Sequence, residues 1–416
     1  MERYKLGELI DVTRGASLAG DNYATEGELV RLTLGNFDYQ SNGFKQNSSK
    51  DNIFYNGEVD SSFILEEGDI ITPLTEQAIG LLGSTAKIPE SGKYIQSQDV
   101  ALVKVKSEKL VHDFAYYLLP TASVKKQLSA GAQQTSIRHT SPDKIKDCTV
   151  YIPEPTEQQK IADFLNQIEE KIAINKKENE TLEAMAKQLY DYWFIQFDFP
   201  DANGRPYKTS GGKMVWNKTL KREIPEGWEV KNLPYIASFT NGLACQRFRP
   251  TGDDCGLPVI KISNMHGEKS NEKEFVKSDI PESVKVYDGD ILFSWSASLE
   301  VIIWAYGIGG LNQHIFKVTE KNGYSKYFVY HKLLGYVDQF RRIAQARKTT
   351  MGHITSDHLN QSTIEIPDNE IIYKSFDKEV APIYSRIISN SQEVIKLQGL
   401  KDFILPLLMT GQVTIE

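Results

Sequence analysis

The sequence predicts an α+β protein of two tandem repeats, each a mixed α/β head followed by a long helix, with the two helices pairing as an antiparallel coiled coil. Three observations carry this expectation. The chain aligns with itself in order over about 150 residues. Each copy sets short β-like runs beside one helix, without the regular alternation of a doubly wound sheet. Each copy then ends in an apolar pattern with a seven-residue period.

The internal match starts with Leu6-Gly-Glu-Leu-Ile-Asp-Val-Thr-Arg-Gly15 against Leu233-Pro-Tyr-Ile-Ala-Ser-Phe-Thr-Asn-Gly242. Gly68-Asp69-Ile70 follows against Gly289-Asp290-Ile291, and Gln98 to Val105 against Gln313 to Val318. Thr135, His139, Asp143, Ile145 and Ile152-Pro153 meet Thr349, His353, Asp357, Leu359 and Ile366-Pro367 at a constant offset of 214. Within the copies, strands are expected at Leu29–Leu34, Ile70–Ile71 and Val100–Val105, then at Val259–Ile262, Ile291–Phe293 and Ile315–Val318. An amphipathic helix is expected at Val111–Leu128 and at Ser325–Ala346.

The long helices are the clearest local signal. Thr156 with Gln159 has capping-box spacing. The rows Ile161, Ile168, Asn175, Leu182, Leu189 and Leu165, Ile172, Asn179, Ala186, Trp193 then keep the heptad. A shift of 215 gives Phe376, Ile383, Asn390, Leu397, Ile404 and Val380, Ile387, Val394, Lys401, Leu408. An Asn in such a seam costs stability and fixes register, so Asn175 is expected near Asn390. Pro382 and Pro406 are expected to kink or shorten the second helix. The domains read as 1–153 head one, 154–197 helix one, 198–227 linker, 228–367 head two and 368–416 helix two. The linker holds six Lys/Arg and could touch an anionic partner.

Composition narrows the classes. Apolar residues are 40% and charged residues 25%, as in an ordinary globular protein. No apolar stretch follows Met1, so no secretory leader is expected, and no run approaches the ~20 residues that span a bilayer. Three cysteines without a CxxC pair (Cys148, Cys245, Cys255) make a disulfide framework or zinc site unexpected and fit a reducing cytoplasm. Net charge is −7, and only residues 200–224 are locally basic, at +4. Nucleic-acid binding would therefore need local patches or a partner's help. No phosphate-cradling GxxxxGK[ST], GxGxxG, GxSxG or HExxH occurs, nor an Asn-Pro-Pro-aromatic tetrad for holding a flipped base. No catalytic residue or metal ligand is assigned. The paired carboxylates Glu66-Glu67, Glu169-Glu170 and Asp253-Asp254 read as solvated faces.

The ordered set of motifs resembles the type I restriction-modification specificity subunits along essentially the whole chain. The carrying residues include Ile224-Pro-Glu-Gly-Trp228, both Gly-Asp-Ile turns, Leu311-Asn-Gln-His-Ile315, the Ile-Pro-Glu-Pro-Thr-Glu-Gln-Gln-Lys160 run and Leu407-Leu-Met-Thr-Gly411. The second copy departs from it at Ile366-Pro-Asp-Asn-Glu-Ile-Ile, which lacks the Pro-Thr-Glu-Gln run. The resemblance implies a cytoplasmic, non-catalytic subunit whose heads are target-recognition domains for a bipartite, asymmetric double-stranded DNA site. It implies a helical spacer that docks two adenine methyltransferase subunits. S-adenosylmethionine would be bound by those partners, not by this chain, and a restriction subunit could join.

Base edges are read by Arg/Lys at guanine, Asn/Gln at adenine and Ser/Thr more loosely. On that basis the candidate DNA contacts are Arg14, Gln77, Gln133, Gln134, Thr135 and Arg138 in the first copy. In the second they are Arg247, Arg249, Trp295, Ser296, Arg347, Lys348 and Thr349, with Asn241 matching Arg14. Lys125, Lys126, Arg341 and Arg342 are candidates for phosphate. The competing reading is a scaffold that assembles protein subunits through its coiled coil, which the acidic charge favours.

Overall fold

The computed structural model describes residues 1–39, 41–47, 51–76, 80–130, 138–265, 274–296, 298–346 and 354–415. It divides into two units, Met1–Lys171 with Leu397–Glu416, and Ile172–Lys396. Both divisions fall inside the long helices, Pro155–Tyr190 and Glu370–Met409. Each unit therefore holds one head and a part of both helices.

In the first unit an antiparallel sheet runs Ala86–Lys87, Ile70–Pro73, Val100–Val105, Ile10–Arg14. The apolar run Val100–Val103, buried throughout, suits the strand's internal place. A second sheet runs Tyr23–Ala24, Phe54–Tyr55, Val30–Arg31, Tyr94–Ile95, Ile64–Leu65, with Val30–Arg31 and Tyr94–Ile95 parallel. The pair Glu2–Lys5 with Thr149–Ile152 closes the head. The single helix expected over 111–128 is two, His112–Leu118 and Ala122–Ala130, because Pro120 offers no N–H and disfavours helix before it.

The first long helix begins at Pro155, one residue ahead of the expected cap at Thr156. Gln158, fully buried, accepts from Val111 N (2.9 Å) and donates to Lys109 O and Pro153 O, which pins the helix start to the head. Ile161 and Leu165 share one core with Leu6, Phe114 and Tyr117, and with Leu408 and Met409 from the end of the second helix. In this unit the helices also meet through Lys401, buried and 2.6 Å from Glu169.

The second unit has the same strand order: Ala237–Asn241, Ile315–Glu320, Ile291–Ser294, Glu300–Ile303. Its other sheet again holds one parallel pair, Leu257–Ile260 with Gly309–Leu311. Glu229–Lys231 pairs with Ile364–Ile366, and Lys326–Ala346 is the head's helix.

Residues 172–190 and 370–396 pack against each other in this unit with opposite chain directions. Arg386 forks onto Glu178 (2.9 and 3.0 Å), Asn179 reaches Ser391 (3.0 Å), and Asn175 donates to Glu393 (2.7 Å). Asn390 donates to Asn179 Oδ1 (3.0 Å), one helical turn from Asn175, its expected neighbour. The heptad shows which residues face the seam but does not set this offset. Ile168, Ile172, Asn175, Ile387 and Asn390 are buried, whereas Leu182, Ile383 and Leu397 are half-buried. The second helix runs unbroken through Pro382 and Pro406, contrary to expectation. Both prolines are exposed, and buried residues on each side (Val380, Tyr384, Lys401, Leu408) hold the axis across the missing donors.

The segment expected to be a linker is folded. Met214–Asn217 pairs with Arg222–Pro225, and Phe199 stacks between Tyr207 (4.7 Å) and Trp228 (5.5 Å). Its Arg222 is spent on Glu365 (2.9 Å), which also pairs with Lys332 (2.7 Å) beneath the rings of Phe328, Tyr190 and Phe194. Burial pushes the Lys332 ammonium down from its ordinary range. Burial works to raise the Glu365 carboxyl, but the Lys332 and Arg222 cations overcome it and hold the acid low. Next to this pair His331 stacks on Tyr190 (4.8 Å) and meets Tyr384 Oη at 2.8 Å.

Lys332→Met leaves Glu365 buried with one cation fewer, and a loss of about 3–5 kcal/mol in denaturant unfolding is expected. Lys332→Met with Glu365→Leu should lose much less; equal losses would refute the pairing argument. Burial lowers the His331 imidazole from 6.5 to about 3, so the unfolded chain takes up the proton first. Stability from this site is thus present above pH 6.5 and lost as pH falls from 6.5 toward 3. His331→Phe should flatten that acid limb in thermal unfolding at pH 7, 5 and 4.

Candidate nucleic-acid interface

The two heads present the same corner of backbone at the end of their central sheets. In the first, Gly15 N donates to Val100 O (3.3 Å), Leu74 N to Asp99 O (2.8 Å), and Thr140 N to Leu74 O (2.8 Å). In the second, Gly242 N donates to Ile315 O (3.1 Å), Trp295 N to His314 O (3.3 Å), and Ile354 N to Trp295 O (3.0 Å). Both glycines sit against carbonyls. A Cβ on Gly15 would lie 2.3 Å from Ser97 O, and one on Gly242 would lie 2.2 Å from Asn312 O. Only glycine allows that approach. The Gly-Asp-Ile turns are also equivalent. Gly68 and Gly289 have φ of +84° and +89°, and Asp69 and Asp290 accept from Glu66 N (3.0 Å) and Tyr287 N (2.8 Å).

Side chains of nucleic-acid-reading types gather at this corner. In the first head Arg14 is exposed and donates to Gln98 O (2.9 Å). Beside it lies a groove of about 470 Å³ lined by Tyr23, Arg31, Tyr39, Lys45, Asn47 and Gln98, among others. Arg31 stacks over Tyr23 at 3.8 Å and donates to Asn52 O. Burial, with Glu76 adding to it, pushes the Tyr39 phenol up to about 12, so it stays a neutral hydroxyl. In the second head Trp295 donates its indole N–H to Asn241 Oδ1 (3.1 Å) and packs 5.6 Å from His314. Gln313 adjoins His314, with their nitrogens 3.3 Å apart. The sequence singled out Arg14, Asn241 and Trp295 as contacts. Gln98 is visible in the sequence only as a repeat match, and Gln313 and His314 only as that match and as part of the Leu311-Asn-Gln-His-Ile315 motif, because a contact assignment needs the turn that carries them.

The other candidates fall in different surroundings. Lys126, Arg247 and Arg249 are exposed. Lys125 is half-buried, donates to Ser84 Oγ (3.1 Å), and burial lowers its amine. Arg341 is tied to Asp338 (2.7 Å) and Leu299 O (2.9 Å), and Arg342 to Asp338 O (3.4 Å). Ser296 is buried, as are Thr72, Thr75 and Glu76 of the matching first-head segment. Glu76 is taken up by the amides of Leu81 and Leu82 (2.8 and 3.0 Å). These interior groups face the fold, since the strand after each Gly-Asp turn lies under the sheet corner. Arg138 lies in a short strand pairing with Thr75–Glu76. Gln77, Gln133, Gln134, Thr135, Arg347, Lys348 and Thr349 lie outside the described residues. Among the described residues no cluster of His, Cys, Asp and Glu could hold a metal ion, and no helix is long and apolar enough to cross a membrane.

Residues 1–184 match the family described as the type I restriction modification DNA specificity domain. The chain is 25% identical over 320 residues to the MjaIX specificity subunit of Methanocaldococcus jannaschii, covering 75% of this chain and 71% of that protein. It is 23% identical over 380 residues to the HindI specificity subunit of Haemophilus influenzae, covering 77% and 81%. The fold is similar to that of the type I restriction-modification S subunit from M. genitalium, with a TM-score of 0.58 and 13% identity over 98% of this chain and 95% of the other.

Gly15→Ala and Gly242→Ala are each expected to destabilise by about 1–3 kcal/mol through overpacking of the sheet corner, read by denaturant unfolding. Unchanged midpoints would show that the corner gives way freely.

Proposed function

We propose that the chain is a type I restriction-modification specificity subunit and that it reads a bipartite, asymmetric DNA site. Each head acts on one half of the site, and the chain does no chemistry of its own. The observation that carries this reading is the equivalent corner of the two heads, with Arg14 and Gln98 at one and Asn241, Gln313 and His314 at the other. These are the residue types that hydrogen-bond base edges in the major groove.

The paired helices serve as an antiparallel coiled coil that spaces the half-sites and docks two adenine methyltransferase subunits, with a restriction subunit as a further partner. The methyltransferases bind S-adenosylmethionine and extrude the target adenine. This chain supplies position: its heads select where the complex sits, and each half-site places one adenine of one strand before one methyltransferase. With a net charge of −7, this chain needs its partners' cations for much of the phosphate contact.

The acidic charge also favours a second reading, a protein scaffold with heads that bind protein. Salt dependence separates the two. The complex with its methyltransferase should prefer duplex that carries the methylated motif, and log affinity should fall linearly with log salt by about 0.9 per phosphate neutralised. Salt-independent assembly with no preference between duplexes would favour the scaffold.

A further inference from the structure

The two heads differ at most positions around their sheet corners, but an exposed or half-buried glutamine stands at the same place in both. Val100 N donates to Ser97 O (3.0 Å), closing a four-residue turn whose second residue is Gln98. Ile315 N donates to Asn312 O (3.1 Å), closing the same turn with Gln313 in the second place. Around them Arg14 is replaced by Asn241, Leu74 by Trp295 and Asp99 by His314. An ordinary solvated glutamine would be expected to vary along with such neighbours.

Both turns are locked from the main chain. Gln98 O accepts from Arg14 Nε (2.9 Å), and Ala16 bridges to Ser97. Gln313 N donates to Leu243 O (2.8 Å), and Leu243 bridges to Asn312. The side chains themselves are held loosely. Gln98 is exposed and its carboxamide makes no hydrogen bond among the described residues. Among the described residues the Gln313 side chain meets only its neighbour His314. A free carboxamide on a fixed turn is well arranged for a reading group, because little backbone order is lost on contact. Its coplanar donor and acceptor match the N7 acceptor and N6 donor of adenine, a pairing that guanine and the pyrimidines do not offer. The groove beside Gln98, with Lys45 exposed at its wall, leaves room and positive charge for the adjoining strand.

We propose that Gln98 and Gln313 are the adenine-reading residues of the first and second head. This assignment rests on the function proposed above. The test uses the full complex with its methyltransferase and the duplex site that the wild type methylates. Each adenine is replaced in turn by 7-deazaadenine, which lacks the N7 acceptor, and binding is measured by competition. One adenine in each half-site is expected to weaken wild-type binding about 5- to 150-fold when so replaced. Gln98→Ala should lose as much on natural DNA and become insensitive to the analogue in one half-site only. Gln313→Ala should do the same in the other half-site. Gln98→Glu, which keeps the shape and should leave thermal unfolding unchanged, should also lose the analogue's effect. Variants that keep full sensitivity at every adenine overturn the assignment while leaving the specificity reading intact. A wild-type complex with no preferred duplex would overturn both.

Discussion

Each head of this protein is completed by helix that lies, in sequence, beyond the other head or before it. Leu408 and Met409, at the end of the second long helix, are buried in the first unit's core with Ile161 and Leu165. Ala186 and Tyr190, at the end of the first, and Trp193 and Phe194 in the turn that follows it, are buried in the second unit's core with Phe376 and Val380. Tyr190, Trp193 and Phe194 add aromatic surface to that core beside the head's own Phe293, Phe328 and Phe340, and burying such surface is the dominant favourable term in folding. Neither head can therefore bury its apolar face without a share of both helices. Within each unit one polar contact between the helices, Lys401–Glu169 in the first and Asn179–Asn390 in the second, favours a single register there.

The heads themselves are economical scaffolds. Each uses one glycine, Gly15 or Gly242, to press a strand end against a carbonyl, and the turn so made carries Gln98 or Gln313 outward. Basic character is local. Several cations that sequence alone would offer to DNA are occupied within the fold: Arg222 by Glu365, Arg341 by Asp338, and Lys125 by burial beside Ser84. A reader of this kind would draw specificity from a few hydrogen-bonding side chains and much of its affinity from partners.

Periodic features were the most legible in the sequence. The heptad rows point to the helix faces that meet, and the repeat matches both Gly-Asp-Ile turns and the segments that begin at Gln98 and Gln313. What the sequence left open follows from physics that it does not encode locally. A heptad says which residues face a partner but not which turn they meet, so Asn390 finds Asn179 rather than Asn175. Residues 198–227 look like a linker through their Gly, Pro and Lys content, yet Phe199, Tyr207 and Trp228 find one another and fold the segment. Pro382 and Pro406 look like interruptions in sequence because exposure and flanking burial are tertiary facts. Ser296 looked available for contact because its burial depends on the sheet above it.

The most direct test of specificity is a single-molecule methylation map of DNA from cells expressing an adenine methyltransferase of the proposed partner type, with and without this chain. A split adenine-methylated motif that appears only when the chain is present is the result this account requires. Identical methylation with and without it, from a methyltransferase shown to be active, would contradict the account.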